Sequence, residues 1–134
     1  SSKLDYLSNC DPATFPDGLD VEVFSYNALK ESNINATLPS QREHVTPFIR
    51  NNKEYFSTGN YESNKNYSNF RWTVDEPEDF KLIEKIYKYL YPLNSSFTTN
   101  DILSLFDSHP ELYHINDMFK RNEGSLKSLE RDKN

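Results

Sequence analysis

Two stretches near the start of the chain alternate apolar and polar residues with the period of a strand. Leu4-Asp5-Tyr6-Leu7 reads as a short strand. Leu19-Asp20-Val21-Glu22-Val23-Phe24 reads as a longer one, with Leu19, Val21 and Val23 on one face and Asp20, Glu22 and Phe24 on the other. Between them Pro16-Asp17-Gly18 is turn chemistry, because Pro presets φ and Gly accepts a positive φ. A short helix over about 25–32 is expected after the second strand.

Further on the pattern shifts toward helical spacing. Ser40, with Glu43 three residues later, predicts a capping box at a helix start. Pro47 kinks that helix or restarts it, with Thr46 as cap and Pro47 at the first position. Helix then continues to about Tyr55, followed by a strand near 56–61 and a polar loop to Asn69. Phe70-Arg71-Trp72-Thr73-Val74 is β-branched and aromatic and reads as a strand that runs into a helix start at Asp75-Glu76-Pro77-Glu78-Asp79. The helix so opened carries Phe80, Ile83, Ile86, Tyr87 and Leu90 on an apolar face and ends near Tyr91-Pro92. A further helix is capped by Thr98 with Asp101, buries Ile102, Leu105 and Phe106, and stops before Pro110. Strands alternating with helices predict an α/β layered fold.

Composition narrows what such a fold does. Only 35% of the 134 residues are apolar and the mean hydropathy is −0.85, so the core is thin and leans on nine Phe and nine Tyr. With 15 basic against 21 acidic residues and no basic stripe, a nucleic-acid partner is not expected. The lone Cys10 rules out an intrachain disulfide and a Cys-based zinc site and suits a reduced compartment. No signal-peptide pattern is present, and no apolar run approaches the roughly 20 residues of a membrane helix. A soluble, cytoplasmic protein without a membrane partner is expected. The abrupt entry from Ser1-Ser2-Lys3 into a strand reads as a cut through a longer protein.

Three constellations carry candidate chemistry. Asp75 ends a strand and begins a helix, where open α/β sheets place ligands and where a carboxylate can hold Mg²⁺ against a polyphosphate. The same Asp, with Glu78 three residues on, is equally a capping box. Asp20 and Glu22 share one face of their strand and can bind sugar hydroxyls or a metal, or act as acid and base; a strand's solvated face looks the same. Arg42, Glu43 and His44, with Thr46, crowd a helix start and can read a carboxylate and hydroxyls on a substrate, or be ordinary helix residues. The only glycines are Gly18, Gly59 and Gly124, so neither Gly-rich phosphate motif exists.

Phe15-Pro16-Asp17-Gly18-Leu19-Asp20-Val21-Glu22-Val23-Phe24, Arg42-Glu43-His44-Val45-Thr46-Pro47 and Arg71-Trp72-Thr73-Val74-Asp75-Glu76-Pro77-Glu78-Asp79 occur in that order. Together they resemble the spore-coat polysaccharide branch of the cytidylyltransferase family, related to CMP-Kdo and CMP-sialic acid synthetases. The end of the chain, from Lys120 to Leu129, resembles the close of that branch.

The resemblance implies the C-terminal portion of a Rossmann-like nucleotidyltransferase sheet with flanking helices. On that reading residues 1–119 are part of one cytidylyltransferase domain and 120–134 are a charged tail. CTP and one metal ligand belong to an N-terminal half absent from this chain. Asp75 falls on the family's late Mg²⁺-ligating Asp, followed here by Glu76 where relatives commonly have Thr. The family's sugar pocket lies in its C-terminal half, which assigns Asp20, Glu22, Arg42, Glu43 and His44 to substrate binding. The implied reaction transfers CMP from CTP to an acidic or phosphorylated sugar with release of pyrophosphate, and the chain alone is expected to be inactive. A homodimer is compatible with this reading. The alternatives are a non-catalytic interaction or dimerisation module and a nucleotide-sugar binding domain like those of glycosyltransferases.

Overall fold

The computed structural model describes residues 3–121, 129, 131 and 132. They fall into two compact units, one formed by 3–15, 20–66 and the described C-terminal residues, the other by Pro16–Leu19 and Tyr67–Arg121.

The first unit is a small mixed sheet with helices. Its strands are β1 (Tyr6–Ser8), β2 (Glu22–Phe24) and β3 (Thr58–Asn60), in the order β2-β1-β3. β2 runs antiparallel to β1 with Tyr6 opposite Phe24 and Leu7 opposite Val23, while β3 runs parallel to it with Leu7 opposite Gly59. The helices are α1 (Tyr26–Asn35), α2 (Pro39–His44) and α3 (Pro47–Asn51). Ser25 caps α1, its hydroxyl accepting the Ala28 N–H at 3.1 Å. The core joins Tyr6 to Ala28 of α1, Ile49 of α3 and Phe56, with Phe24 and Phe48 packed against it.

That core reverses the expected sidedness of β2. Val21 and Val23 are 56% and 60% exposed, whereas Glu22 and Phe24 are half-buried. The reason lies in the register: Phe24 sits opposite buried Tyr6, so the even-numbered residues of β2 share the core-facing side. Nor does Ser40 cap α2. Leu38 occupies the N-cap, Gln41 Oε1 accepts the N–H groups of Thr37 and Leu38 at 3.2 Å, and Ser40 is buried inside the first turn. There the Ser40 N–H and hydroxyl both donate to Asp132, the N–H at 2.9 Å. The rest of the charged tail lies largely outside the described residues.

The second unit packs α4 (Pro77–Leu90), α5 (Thr99–Ser108) and a 3₁₀ helix (Pro110–Ile115) around Trp72, Leu82, Ile86, Leu105, Phe106 and Leu112. Its turn at Pro16-Asp17-Gly18 closes through the Leu19 N–H to the Pro16 carbonyl at 3.1 Å, with Gly18 at φ 98°. A Cβ on Gly18 would lie 2.8 Å from the Trp72 carbonyl carbon, so glycine is needed here for both conformation and space.

The predicted strand at 70–74 reduces to one bridge: the Asp17 N–H donates to the Phe70 carbonyl at 2.9 Å and Trp72 returns the bond at 2.8 Å. Beyond it the backbone turns toward α4. The start of α4 is also shifted by one residue from expectation. Glu76 is the N-cap, and the box is closed by Asp79 rather than by Glu78 paired with Asp75. On α4 the core-facing residues are Asp79, Leu82 and Ile86, leaving Phe80 and Tyr87 exposed. Asp101 closes the box at α5 as the spacing predicts, accepting the Thr98 N–H at 2.7 Å.

Candidate functional site

In the first unit, Glu22 is the centre of a polar cluster. Its carboxylate receives the Tyr6 hydroxyl from the neighbouring strand, a diagonal pair across the sheet. Thr46 Oγ1 donates to the same carboxylate, 2.9 Å from Oε1 and 3.1 Å from Oε2. Arg50 Nε lies 3.9 Å from Glu22 Oε1. Burial pushes the Tyr6 phenol well above its ordinary range, and the hydrogen bond to Glu22 pushes it further the same way.

Thr46 reaches Glu22 because of an unusual turn. Val45 sits at φ 67°, ψ −52°, and the Thr46 N–H donates to the His44 carbonyl at 2.7 Å, closing a γ-turn of the positive-φ hand between α2 and α3. A β-branched residue in that conformation costs on the order of 1–3 kcal/mol and persists only where its surroundings hold it. Here Ser32 Oγ of α1 donates to the Val45 carbonyl at 3.1 Å, and the α3 N–H of Arg50 donates to the Thr46 carbonyl at 3.0 Å. Thr46 occupies the N-cap of α3, but its hydroxyl bonds Glu22 instead of capping.

The other substrate-binding candidates of this unit lie on or near the same elements. Asp20 is exposed, just before β2. Burial raises the Cys10 thiol above its ordinary range, and the negative charges of Asp20 and Glu22 add to that rise, so this thiol is a poor nucleophile. On α2, Arg42 Nη1 donates to the Asn33 carbonyl at 2.8 Å and its side-chain oxygen at 3.2 Å, bracing α2 against α1. Arg42 also lines a cleft of about 200 Å³ with Ser32, Asn33 and Val45. Glu43 is exposed, with Arg131 Nη1 3.9 Å from its Oε2. His44 is half-buried in the last turn of α2 and supplies the carbonyl that closes the γ-turn.

In the second unit, Asp75 stands on a loop held from below by a buried carboxylate. Asp79 is fully buried and accepts Arg71 Nε at 3.0 Å and Nη2 at 2.9 Å, Asn116 Nδ2 at 2.8 Å, and the backbone N–H groups of Asp75 and Glu76 at 3.1 Å. Burial alone would raise its carboxyl; Arg71, Asn116 and the two backbone amides override that and hold it far below the usual carboxylate range. Arg71 also touches Asp17 at 3.4 Å and Asp75 at 3.2 Å. The Asp75 side chain itself is 70% exposed, so its oxygens are open to a ligand.

As a metal donor set this is incomplete. Among the described residues no group of three or more His, Cys, Asp or Glu side chains is placed to hold a metal ion. What is present, one hard and exposed carboxylate, fits the way Mg²⁺ is commonly held, by one or two protein carboxylates with waters and substrate phosphates completing the shell.

A solved cytidylyltransferase from Leptospira borgpetersenii serovar Hardjo-bovis superposes on 82% of the chain with a TM-score of 0.76 at 28% identity. The fold is that of a cytidylyltransferase. The matched region is 45% of the Leptospira cytidylyltransferase chain. An uncharacterized protein of Methanocaldococcus jannaschii, MJ1063, is 34% identical over 101 residues, which are 74% of this chain and 41% of the archaeal one. The chain thus spans less than half the length of both proteins. No protein-family model matches it.

Within this cytidylyltransferase fold, Asp20 and Glu22 belong to the first unit together with Arg42, Glu43 and His44, whereas Asp75 belongs to the second. Sequence reasoning passed over Tyr6, Arg50, Arg71 and the support role of Asp79. The i, i+4 spacing of Thr46 and Arg50 around Pro47 was a usable signal for one of these. Among the described residues no helix is long and apolar enough to cross a membrane.

Proposed function

We propose that this chain is the sugar-side portion of a cytidylyltransferase that transfers CMP from CTP to an acidic or phosphorylated sugar, releasing pyrophosphate, in surface polysaccharide synthesis. The observation that carries the reading is Asp75: an exposed carboxylate, fixed through its backbone at the mouth of α4, in a chain that folds as a cytidylyltransferase. Asp75 would be one ligand of Mg²⁺, which when bound neutralises the phosphates and orients the α-phosphorus. An oxygen of the sugar attacks that phosphorus and the bond to the leaving pyrophosphate breaks. The protein's own part is mostly positioning, with Glu22 and Asp20 as acceptors for sugar hydroxyls.

The test joins this chain to the nucleotide-binding segment of such an enzyme and compares wild type with Asp75→Asn. Loss of Mg²⁺-dependent pyrophosphate release by about a hundredfold, or about 2.7 kcal/mol of transition-state stabilisation, is expected with an unchanged melting temperature. Near-normal turnover at ordinary Mg²⁺ would reject the metal role. The chain alone should bind CTP more weakly than about millimolar, near 4 kcal/mol, in calorimetry.

A dimerisation module is the second reading. It is favoured by the outer face of the sheet, where Leu7 and Val23 form an exposed apolar cross-strand pair flanked by Leu4 and Val21. Sedimentation of the chain as a monomer at 100 µM, roughly the concentration where a weak dimer forms, would count against it.

A further inference from the structure

We propose that Arg50 reads the anionic group of the sugar, taking its carboxylate or phosphate on its guanidinium fork while the adjacent Glu22 carboxylate takes a hydroxyl. This rests on the sugar-site reading of the first unit and names the residue that sets its substrate class.

Arg42, Arg50 and Arg71 differ in how their guanidinium groups are engaged. Arg71 has Nε and Nη2 bonded to Asp79 and Nη1 beside Asp17. Arg42 has Nη1 bonded twice to Asn33. Arg50 has one ion pair, 3.9 Å from Nε to Glu22 Oε1, which is too long for a hydrogen bond, and among the described residues its guanidinium makes no other polar contact. Glu22 does not need it, because Tyr6 and Thr46 already donate to that carboxylate.

Arg50 is nonetheless held in place. Its side chain is only 33% exposed, and its backbone is fixed one residue from fully buried Ile49 by the bond to Thr46 and the strained turn before it. A guanidinium carries five donors in a rigid planar fork, and that fork matches the two oxygens of a carboxylate or phosphate. Partly desolvated donors without acceptors are costly, whereas charge-assisted pairs are among the stronger hydrogen bonds. The open donors of Arg50 and the Glu22 carboxylate beside them together suit a ligand bearing both an anion and a hydroxyl. A bare anion meets the Glu22 carboxylate beside that guanidinium with no hydroxyl to offer it and is disfavoured.

The experiment is a titration of the intact ¹⁵N-labelled chain with D-glucuronate, D-glucose 1-phosphate, D-glucose and inorganic phosphate, following the Arg50 Nε–H and the amides of Glu22 and Thr46. Glucuronate or glucose 1-phosphate, at up to about 20 mM, is expected to shift all three signals, and which of the two is tighter distinguishes a carboxylate from a phosphate reader. Glucose and inorganic phosphate are expected to bind about tenfold more weakly or not at all. Arg50→Gln should abolish the anionic sugar's advantage over glucose, and Arg50→Lys, which keeps charge but not the fork, should restore part of it. Lys53→Gln, removing a nearby surface charge paired with Asp11, should change nothing.

No shift at Arg50 with either anionic sugar in the wild-type chain overturns the proposal, as does an equal loss in Lys53→Gln. Shifts at Arg50 from inorganic phosphate alone, equal to those from the sugars, would overturn it too, by showing generic anion binding. Anionic-sugar binding at Arg50 with no nucleotidyl transfer in the joined enzyme would leave this proposal standing and reject the cytidylyltransferase reaction.

Discussion

Asp79 Oδ2 accepts the backbone N–H of Asp75 at 3.1 Å, so the exposed carboxylate proposed to meet the metal is placed by a buried one that cannot reach it. The two aspartates should therefore separate cleanly. Asp79→Asn leaves the Arg71 charge buried without its main partner and should cost about 3–5 kcal/mol in urea denaturation of the chain. Asp75→Asn removes an exposed partner of the same Arg and should cost less than about 1 kcal/mol. Equal losses would mean that Arg71 does not depend on Asp79.

The depressed carboxyl of Asp79 also sets an acid limit. A group whose folded-state pKa lies below its unfolded value stabilises the protein above the unfolded value, near pH 4, and that contribution disappears as pH falls toward the folded one. Wild-type stability is expected to drop progressively below about pH 4, with a visibly shallower drop in Asp79→Asn. Parallel curves would remove Asp79 as the cause.

Tyr6 sets the opposite limit. Its phenol is raised, chiefly by burial and then by Glu22, so its contribution is complete below about pH 10 and fades as pH rises through the folded value. Tyr6→Phe should lose about 1.5–3 kcal/mol at pH 7, the worth of a hydrogen bond to a charged group, and should flatten the alkaline arm of the stability profile. An undiminished alkaline arm would assign it to another group.

Val45 should behave unlike most core-adjacent valines. Glycine at that position relieves about 1–3 kcal/mol of backbone strain and gives back roughly 0.5–1 kcal/mol in unfolded-state entropy. Val45→Gly is expected to raise the melting temperature by roughly 3 °C. If the variant instead melts lower, the turn is not strained.

The extent to which the fold could be read from sequence varied with how local each determinant is. The cap at Thr98 with Asp101 and the Pro16–Gly18 turn are written in neighbouring residues, and both form as expected. Period two located β2 but put its polar residues on the solvent side; only pairing with β1 decides that Glu22 faces Tyr6 and that Val23 faces out. At α4 two acidic boxes, Asp75 with Glu78 and Glu76 with Asp79, were equally spelled, and the buried Arg71 and Asn116 select the second. Arg42 and Arg50 look alike in sequence, and what distinguishes them is Asn33 on another helix.

The bond from Ser40 to Asp132 joins residues 92 positions apart, and it bears on how the chain is made. The first turn of α2 acquires that partner only after the intervening segment has been synthesised, roughly 5 to 18 s later at ordinary translation speeds of about 5–20 residues per second. Until then Ser40, which is buried in the finished protein, has neither of the two acceptors Asp132 provides. The helix carrying Arg42, Glu43 and His44 therefore gains this contact at its first turn only after both the strands before it, β1 and β2, and the core residues after it, Ile49 and Phe56, have been made.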